Sequence, residues 1–409
     1  MHREPTTSNN VLATFFTRQP IFATDYTVWG YELVFSTETG RELDELLPPA
    51  PTDAGARFTA TSLCEAGKTV LIDFRQNALS AMPPGKTVIV IPDQPMNDDL
   101  EMVFTLLKRR GYAVAIDTDE SFLPQETSVR LADFVLIDTI ACDARRIEAI
   151  REHCQNGSQL VARHVQDRQH LAEVRAAGCV LFSGPFFAVP ENLDRRELTS
   201  HESSRFQLLE IIERAEEDFD ELSAAIRNDA ALSYRLLTYL NSAAFSFPER
   251  INSIKQAVVI LGWKQLSHWL RIIVFTDLNP DIRTEELLIT ALKRAKFFEI
   301  LARAKKSPDF DPDQIFLLGL FSMLESILEM PMNAIVARLP LSQELRDALL
   351  GAPSPHRDWL DMVNCYELAG WERLESIVAG LGFDFATITN AYNAALAWAD
   401  AFTRHSSSA

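Results

Sequence analysis

The sequence predicts an α/β barrel in the first half of the chain and an all-helical region in the second half. Short β-branched and apolar runs alternate with helical patterns from residue 14 to residue 182. From Asp218 onward, apolar residues recur mainly at the three- and four-residue spacing of helices. Repeated strand-then-helix units imply a parallel sheet covered by helices, and so many units in one stretch predict a modified TIM-like (β/α) barrel.

Length and charge limit the classes of function. The chain has 409 residues, of which 47 % are hydrophobic, so it can build more than one core. We expect two domains, a barrel over 11–198 and an all-helical domain over 199–409. The formal net charge of −18 repels phosphate backbones and anionic lipids. We therefore expect neither nucleic-acid binding nor docking on a membrane.

The cysteines and the termini favour a cytoplasmic protein. The five cysteines are odd in number and widely spaced, and no Cys-x-x-Cys pair occurs. This pattern indicates reduced thiols in a reducing compartment. No apolar run is long enough to span a bilayer, and residues 1–10 are polar and lack the apolar core of a secretion signal.

The strand-like runs of the barrel are short and bounded by turn residues. The first two enclose residues 23–26, which read as a hairpin turn. The predicted strands are 14–22, 28–35, 69–74, 87–91, 113–116, 134–137, 159–162 and 180–182. The helical patterns between them are 54–66, 98–110, 144–154 and 169–177.

Two features of the second half predict where helices begin and end. Ser253 and Gln256 form a capping box that opens a helix, and Gly262 is predicted to close it. Residues 316–328 are nearly all apolar and predict one buried helix. Four further helices are predicted at 341–350, 359–369, 371–379 and 385–402.

The first half resembles an EAL domain. The similarity lies in the opening hairpin at 18–22 and 30–35, the strand regions 111–117 and 132–135, and the closing segment 182–187. EAL domains are modified barrels that hydrolyse cyclic di-GMP with divalent metal ions. The resemblance therefore implies a barrel that once held two cations on a cluster of carboxylates, because hard cations prefer oxygen ligands.

The stretch from 218 to 270 resembles an HDOD domain, an all-helical bacterial signalling module related to HD-domain phosphohydrolases. Its signature turn includes Asn241, Ser242 and Phe245. HD phosphohydrolases hold metal with a His-Asp dipeptide, and none of the eight histidines here precedes an aspartate. We expect no metal-dependent hydrolysis by this half. Asn241 and Ser242 also suit ordinary turn formation and helix capping.

The EAL resemblance assigns five vestigial site positions. Glu32 stands where the motif supplies a metal-binding Glu, and Asp73 stands for a metal-binding Asn. Asp117 is the first of a paired Asp-Asp, Asp138 closes the next motif, and Arg163 replaces a carboxylate. The four acids also suit plain loop hydrogen bonding at strand ends.

Other positions of the EAL site have lost their chemistry. The phosphate-binding Arg is Ser36, the next Glu is Val90, and the second Asp is Thr118. The Lys that activates water is Leu136, and the terminal Gln is Ser183. Losing charge, coordination and base together predicts that the barrel does not hydrolyse cyclic di-GMP and binds no metal or other cofactor.

Arg163 places a cation where the metals of an EAL site would lie. We expect it to pair with Asp117 or Glu32 and to close the barrel mouth in place of metal. A side chain that pointed to solvent with no carboxylate nearby would contradict this. Anion binding by Arg18 or Arg163 is an alternative that the residues leave open.

Together, these observations predict a cytoplasmic, catalytically inactive signalling protein that acts through protein–protein contacts, in control of motility or surface behaviour. Its partners would be other signalling proteins, and a homodimer is compatible with the family. One alternative is a receptor that binds cyclic di-GMP or another nucleotide without turnover, although Ser36 counts against it. An active phosphodiesterase is a further alternative, against which Val90 and Leu136 count.

Overall fold

The computed structural model describes much of both predicted regions. The described residues are 16–35, 61–73, 83–92, 98–118, 126–154, 157–190, 198–214, 219–227, 251, 254–278 and 285–406. Ser36 and the predicted HDOD turn of Asn241, Ser242 and Phe245 lie outside these residues. Within the described ranges, no helix is long and apolar enough to cross a membrane.

The described residues group into two compact units. One contains those within 1–184 and 365–389, and the other contains those within 185–364 and 390–409. The first unit is the barrel unit and the second is the helical unit. The domain limit predicted between residues 198 and 199 stays a prediction.

The barrel unit is built on a closed eight-stranded barrel in the order β1 to β8. The first strand runs antiparallel to both of its neighbours, β2 and β8, whereas all other neighbours are parallel. The strands are β1 Phe16–Ala23, β2 Val28–Phe35, β3 Thr69–Asp73, β4 Thr87–Pro92, β5 Ala113–Asp117, β6 Phe134–Asp138, β7 Gln159–Arg163 and β8 Leu181–Ser183. The predicted barrel is confirmed.

The opening hairpin forms at the predicted turn. The Tyr26 N–H donates to the Ala23 carbonyl at 3.0 Å, and the Ala23 N–H donates to the Thr27 carbonyl at 2.9 Å. Tyr26 takes a positive φ of 65°, and Asp25 accepts hydrogen bonds from both the N–H and the hydroxyl of Thr27. Local side-chain hydrogen bonding by Asp is a common way to stabilise such a turn.

The barrel interior is apolar because every second residue of each strand points inward. The inward side chains form one buried cluster of Ile21, Leu71, Val88, Val90, Ala115, Leu136, Val161 and Leu181. These are mostly branched residues, which fill a small barrel closely. The interior is therefore packed, and chemistry is confined to its ends.

Helices account for nearly all of the described chain beyond residue 198. In the barrel unit the helices between strands are α1 Asp98–Arg109, α2 Glu126–Leu131, α3 Ala144–His153 and α4 Arg168–Ala177. The later helices are α5 Ser200–Glu213, α6 Phe219–Arg227, α7 Ile254–Thr276, α8 Glu285–Lys305, α9 Pro312–Phe321, α10 Leu324–Leu328, α11 Met332–Val336, α12 Gln343–Leu349, α13 Pro355–Glu367, α14 Trp371–Leu381 and α15 Phe385–Ser406.

The single helix predicted over 316–328 is wrong. The structure has two helices there, α9 and α10, with Ser322 and Met323 between them. The Ser322 hydroxyl donates to the Gly319 carbonyl at 2.7 Å and accepts from Arg294 at 3.2 Å. Such side-chain bonding competes with the backbone ladder of a helix. An apolar composition alone does not reveal this competition.

Gly262 ends the first helical part of α7, as predicted. Its φ of 74° and ψ of 166° are not helical, so α7 consists of two helices that meet at a kink at this residue. Glycine permits this conformation because it has no Cβ. The second helix, which ends at Thr276, packs through apolar residues, since Leu266 and Leu270 are fully buried.

The helical unit also buries charged side chains. Both Nε and Nη2 of Arg205 on α5 donate to Asp277 Oδ2, at 2.6 and 2.5 Å. A second pair joins Arg271 on α7 to Glu213 at the end of α5, through Nε at 2.5 Å and Nη2 at 3.0 Å. Buried charges need such partners because removing them from water is costly.

The five cysteines form no disulfide with one another. Three of them, Cys142, Cys179 and Cys365, are buried. Burial raises the pKa of Cys154 to about 11 and that of Cys179 to about 12. Thiols with raised pKa values are poor nucleophiles at neutral pH.

Candidate functional site at the barrel mouth

Four of the predicted site residues end four parallel strands. Each lies two residues beyond an interior side chain on its strand, so it points to the same side of the sheet at the carboxyl end. These residues are Asp73 on β3, Asp117 on β5, Asp138 on β6 and Arg163 on β7. We call this end of the barrel the mouth, and it is the end at which barrels of this type carry their sites.

Glu32 reaches the mouth from a different position. It lies within β2, where its Cα pairs with those of Gln19 on β1 and Leu71 on β3. Leu71 belongs to the interior cluster, so Glu32 also points inward, and it is buried. A carboxylate buried in this way requires a counter-charge or several hydrogen bonds.

Arg163 supplies that counter-charge. Its Nη1 donates to Glu32 Oε1 at 3.2 Å, and its Nη2 donates to Asp117 Oδ1. Burial lowers the pKa of Arg163, but the carboxylates of Glu32, Asp117 and Asp138 outweigh burial and hold that pKa above its usual value. The pairing expected for Arg163 is therefore confirmed, with both carboxylates rather than one.

Asp138 extends the charged network to the next residue of the chain. His164 Nδ1 lies 3.0 Å from Asp138 Oδ2, and the Ile140 N–H donates to Asp138 Oδ1 at 2.9 Å. Burial raises the pKa of Asp138, yet the interactions with His164, Ile140 and Arg163 outweigh burial, so the net pKa is lowered. His164 holds a φ of 58°, which is strained for a residue with a side chain.

Contacts with β8 and with Gly184 hold His164 in this strained conformation. The Val165 N–H donates to the Ser183 carbonyl at 3.0 Å. Gly184 then packs so closely that a Cβ there would lie 2.4 Å from Val165 N and O. Only glycine fits this approach, and its φ of 140° is also one that other residues rarely adopt. Ser183, which stands at the position of the lost Gln, is buried, and its backbone carbonyl is the one that accepts from Val165.

Two threonines tie the strand ends together, a role that the sequence reading missed. The N–H and hydroxyl of Thr118 both donate to the Leu136 carbonyl, at 3.2 and 2.8 Å. Thr139 does the same to the Arg163 carbonyl, at 3.1 and 2.6 Å. The sequence signal for this role is an Asp-Thr pair that recurs at the ends of β5 and β6. Thr118 thus links β5 to β6 in place of a second carboxylate.

The remaining predicted positions are apolar or lie elsewhere. Val90 and Leu136 are buried in the interior cluster, and the Cα of Asp73 pairs with that of Val90. Arg18 is next to the inward Gln19, so it points outside the barrel, with its Cζ 4.4 Å from the centroid of the Tyr31 ring. Anion binding by Arg18 at the mouth is therefore excluded by its direction.

The residues present at the mouth do not fit a pair of divalent cations. A guanidinium already neutralises Glu32 and Asp117, and a metal ion would have to displace it. The Arg163 Nε–H is buried and makes no hydrogen bond to any described residue, and a donor cannot ligate a cation. Across the described ranges, no group of three His, Cys, Asp or Glu side chains is placed to hold a metal.

Comparisons with known proteins match both halves of the chain. A family model described as HDOD domain matches residues 198–335. An uncharacterised protein YuxH of Bacillus subtilis is 27 % identical over 403 residues, which cover 94 % of this chain and 97 % of that protein. Cyclic di-GMP phosphodiesterase CdgJ of Vibrio cholerae is 28 % identical over 418 residues, which cover 97 % of this chain and 94 % of that protein.

Solved structures of EAL proteins are weaker matches. An EAL domain protein from Listeria monocytogenes is 16 % identical and covers 43 % of this chain and 87 % of its own, with a TM-score of 0.34. The similarity to YuxH and CdgJ extends over nearly the whole chain, so it includes both the barrel and the helical domain.

Proposed function

We propose that this chain, which joins an EAL-like barrel to an HDOD domain, is a signalling protein whose barrel does not hydrolyse cyclic di-GMP. Its output would be contacts with other signalling proteins. The observation that carries the proposal is the Arg163 guanidinium bound between Glu32 and Asp117. Both carboxylates lie at positions that the EAL resemblance assigns to metal ligands.

The first argument is electrostatic. Phosphodiester cleavage of this kind needs cations that clamp the phosphate and lower the pKa of a bridging water. Arg163 carries a positive charge but has no vacant orbital for a water ligand, so it cannot make that water a nucleophile. Two divalent cations beside the guanidinium would also repel it at close range.

The second argument concerns the missing base and ligand. The position assigned to the water-activating Lys is Leu136, which is fully buried inside the barrel. The position of a further metal-binding Glu is Val90, which is buried in the same cluster. Neither side chain can be turned to the mouth without leaving a cavity in the packed interior. Apolar side chains of the packed interior therefore stand where the base and the metal-binding Glu would be.

A second candidate function is a receptor that binds a cyclic dinucleotide without turnover. The buried Arg163 Nε–H favours it, because a guanidinium with an unsatisfied donor suits a phosphate oxygen. The relative named as a cyclic di-GMP phosphodiesterase also makes this ligand the first to test. Binding would require Arg163 to exchange part of its carboxylate contacts for phosphate.

Calorimetric titration of cyclic di-GMP into the purified full chain tests these functions, with magnesium, with manganese and without metal. Product formation is followed in the same samples by chromatography. We expect no turnover in any condition. Metal-dependent turnover that is lost in Glu32→Ala would overturn the proposal. Heat without turnover would select the receptor, whereas no heat and no turnover would support a protein that acts through its contacts alone.

A further inference from the structure

Residues 365–389 belong to the barrel unit although they follow the helical region in sequence. They comprise the end of α13, all of α14 and the beginning of α15. The HDOD match ends at residue 335, so this segment lies beyond it. Its place beside the barrel is therefore not explained by the HDOD domain.

One hydrogen bond locates the segment at the mouth. Gln19 Nε2 donates to the Glu367 carbonyl at 3.2 Å, across 348 residues of sequence. Gln19 lies two residues before the inward Ile21 on β1, so it faces the same side of the sheet. Its Cα pairs with that of Glu32, which binds Arg163. The end of α13 is thus next to the charged network.

The first residues of the segment, 365–371, form a turn that is held by its own hydrogen bonds, and we call this turn the tip. The Gly370 N–H donates to the Cys365 carbonyl at 2.8 Å, and the Ala369 N–H donates to the Tyr366 carbonyl at 3.2 Å. The Trp371 ring packs edge-on against Tyr366, with 5.5 Å between ring centroids. A turn that is ordered in this way can contact the barrel at little further cost in conformational entropy.

We infer that residues 365–389 form an intramolecular cap over the β1–β2 side of the barrel mouth. Ligands enter barrels of this type at the carboxyl ends of the strands, so the cap restricts access to Arg163 and its carboxylates. The inference holds whether or not the barrel has any activity. A protein partner that draws the end of α13 away would expose the mouth, and this provides a route for regulation.

Amide hydrogen exchange on the full chain tests the cap. The variant Gln19→Leu keeps the size of the side chain but removes the donor to Glu367. Its matched control is Gln159→Leu, an exposed glutamine at the opposite end of β7. We expect the exchange of amides 368–371 to rise several-fold in Gln19→Leu and to stay unchanged in the control, while strand β5 keeps its protection in both. Equal exchange of 368–371 in the two variants would overturn the inference.

Cross-linking gives a second test if Gln19→Leu loosens the whole barrel. The pair Val34→Cys and Leu368→Cys leaves the Gln19 donor in place. It puts one thiol on β2, two residues beyond the inward Glu32, and one at the tip, where Leu368 is 56 % exposed. A short bifunctional thiol reagent should link this pair much faster than the control pair of Gln159→Cys and Leu368→Cys, as mapped by peptide mass. Equal rates for the two pairs would show that the tip does not lie at the mouth.

Discussion

The two units of the molecule both bury an arginine against carboxylates, but they place it differently. Arg205 of the helical unit is 2 % exposed and directs two donors to one carboxylate, Asp277. Arg163 of the barrel unit has an 18 % exposed side chain and is shared between Glu32 and Asp117. The first pair ties helices together inside a core. The second occupies the open end of a barrel, where a ligand would otherwise be bound, so the same chemistry closes a site.

Of the two buried arginines, Arg205 is expected to give the larger loss of stability when it is replaced. Replacing it with Met leaves the Asp277 carboxylate buried without its guanidinium, so we expect a loss of about 3–5 kcal/mol in the free energy of unfolding. Denaturant titration followed by circular dichroism measures this. Arg214→Met is the matched control, because Arg214 pairs with Glu210 and Glu221 through side chains that are nearly half exposed. Similar losses in the two variants would remove the distinction between buried and surface pairs.

A half-buried imidazole whose desolvation outweighs the attraction of the Glu299 carboxylate should remain neutral, and His268 is the test. Burial lowers its pKa to about 4, against an ordinary value of 6.5, and its ring packs 4.4 Å from that of Phe316. Below pH 6.5 the imidazole of His268 is protonated in the unfolded chain, whereas in the folded chain it becomes protonated only near pH 4. The stability is therefore complete above pH 6.5 and falls by about 3 kcal/mol as the pH decreases to 4.

The variant His268→Phe keeps the aromatic packing and removes the titrating group. We expect its stability to depend much less on pH between 6.5 and 4 than that of the parent chain, as measured by denaturant titration at several pH values. A pH dependence equal to that of the parent would show that other groups cause the loss. Such a result would weaken the contrast between an imidazole kept neutral in the helical unit and the charged groups paired at the mouth.

At the mouth, Arg163→Met should cost less than the change at Arg205, about 1–3 kcal/mol at pH 7. Glu32 and Asp117 would lose their shared donor, but the partial exposure of Asp117 lets water replace some of it. Adding Glu32→Gln to Arg163→Met should restore part of the loss, since it removes one unpaired charge. Arg175→Met, on the exposed face of α4, is the control. A double variant no more stable than Arg163→Met would argue against a shared counter-charge.

The smallest effects concern the threonine ties of the barrel. Thr118→Val and Thr139→Val each remove one hydroxyl bond to a neighbouring strand while keeping the shape of the side chain. We expect each to cost about 1 kcal/mol in thermal or denaturant unfolding. If Thr118→Val left the stability unchanged, its hydroxyl would not be what links β5 to β6, and the position would be no more than a lost metal ligand.

The sequence by itself determined the elements and the chemistry that each position can supply. Strand and helix patterns report local backbone preference and the alternation of buried faces, which act over a few residues. They were enough to place Val90 and Leu136 on barrel strands and to exclude a ligand and a base there. They failed at 316–328, where the Ser322 hydroxyl interrupts a helix that composition alone favours.

Only the tertiary structure decided which groups meet at the mouth. Arg163 and Glu32 are 131 residues apart in sequence, and Gln19 and Glu367 are 348 apart. Whether such residues touch depends on strand register and on the closure of β1 against β8, which no local pattern contains. The sequence could therefore suggest a carboxylate partner for Arg163. The closed barrel decided that it has two, and it placed the cap of residues 365–389 beside them.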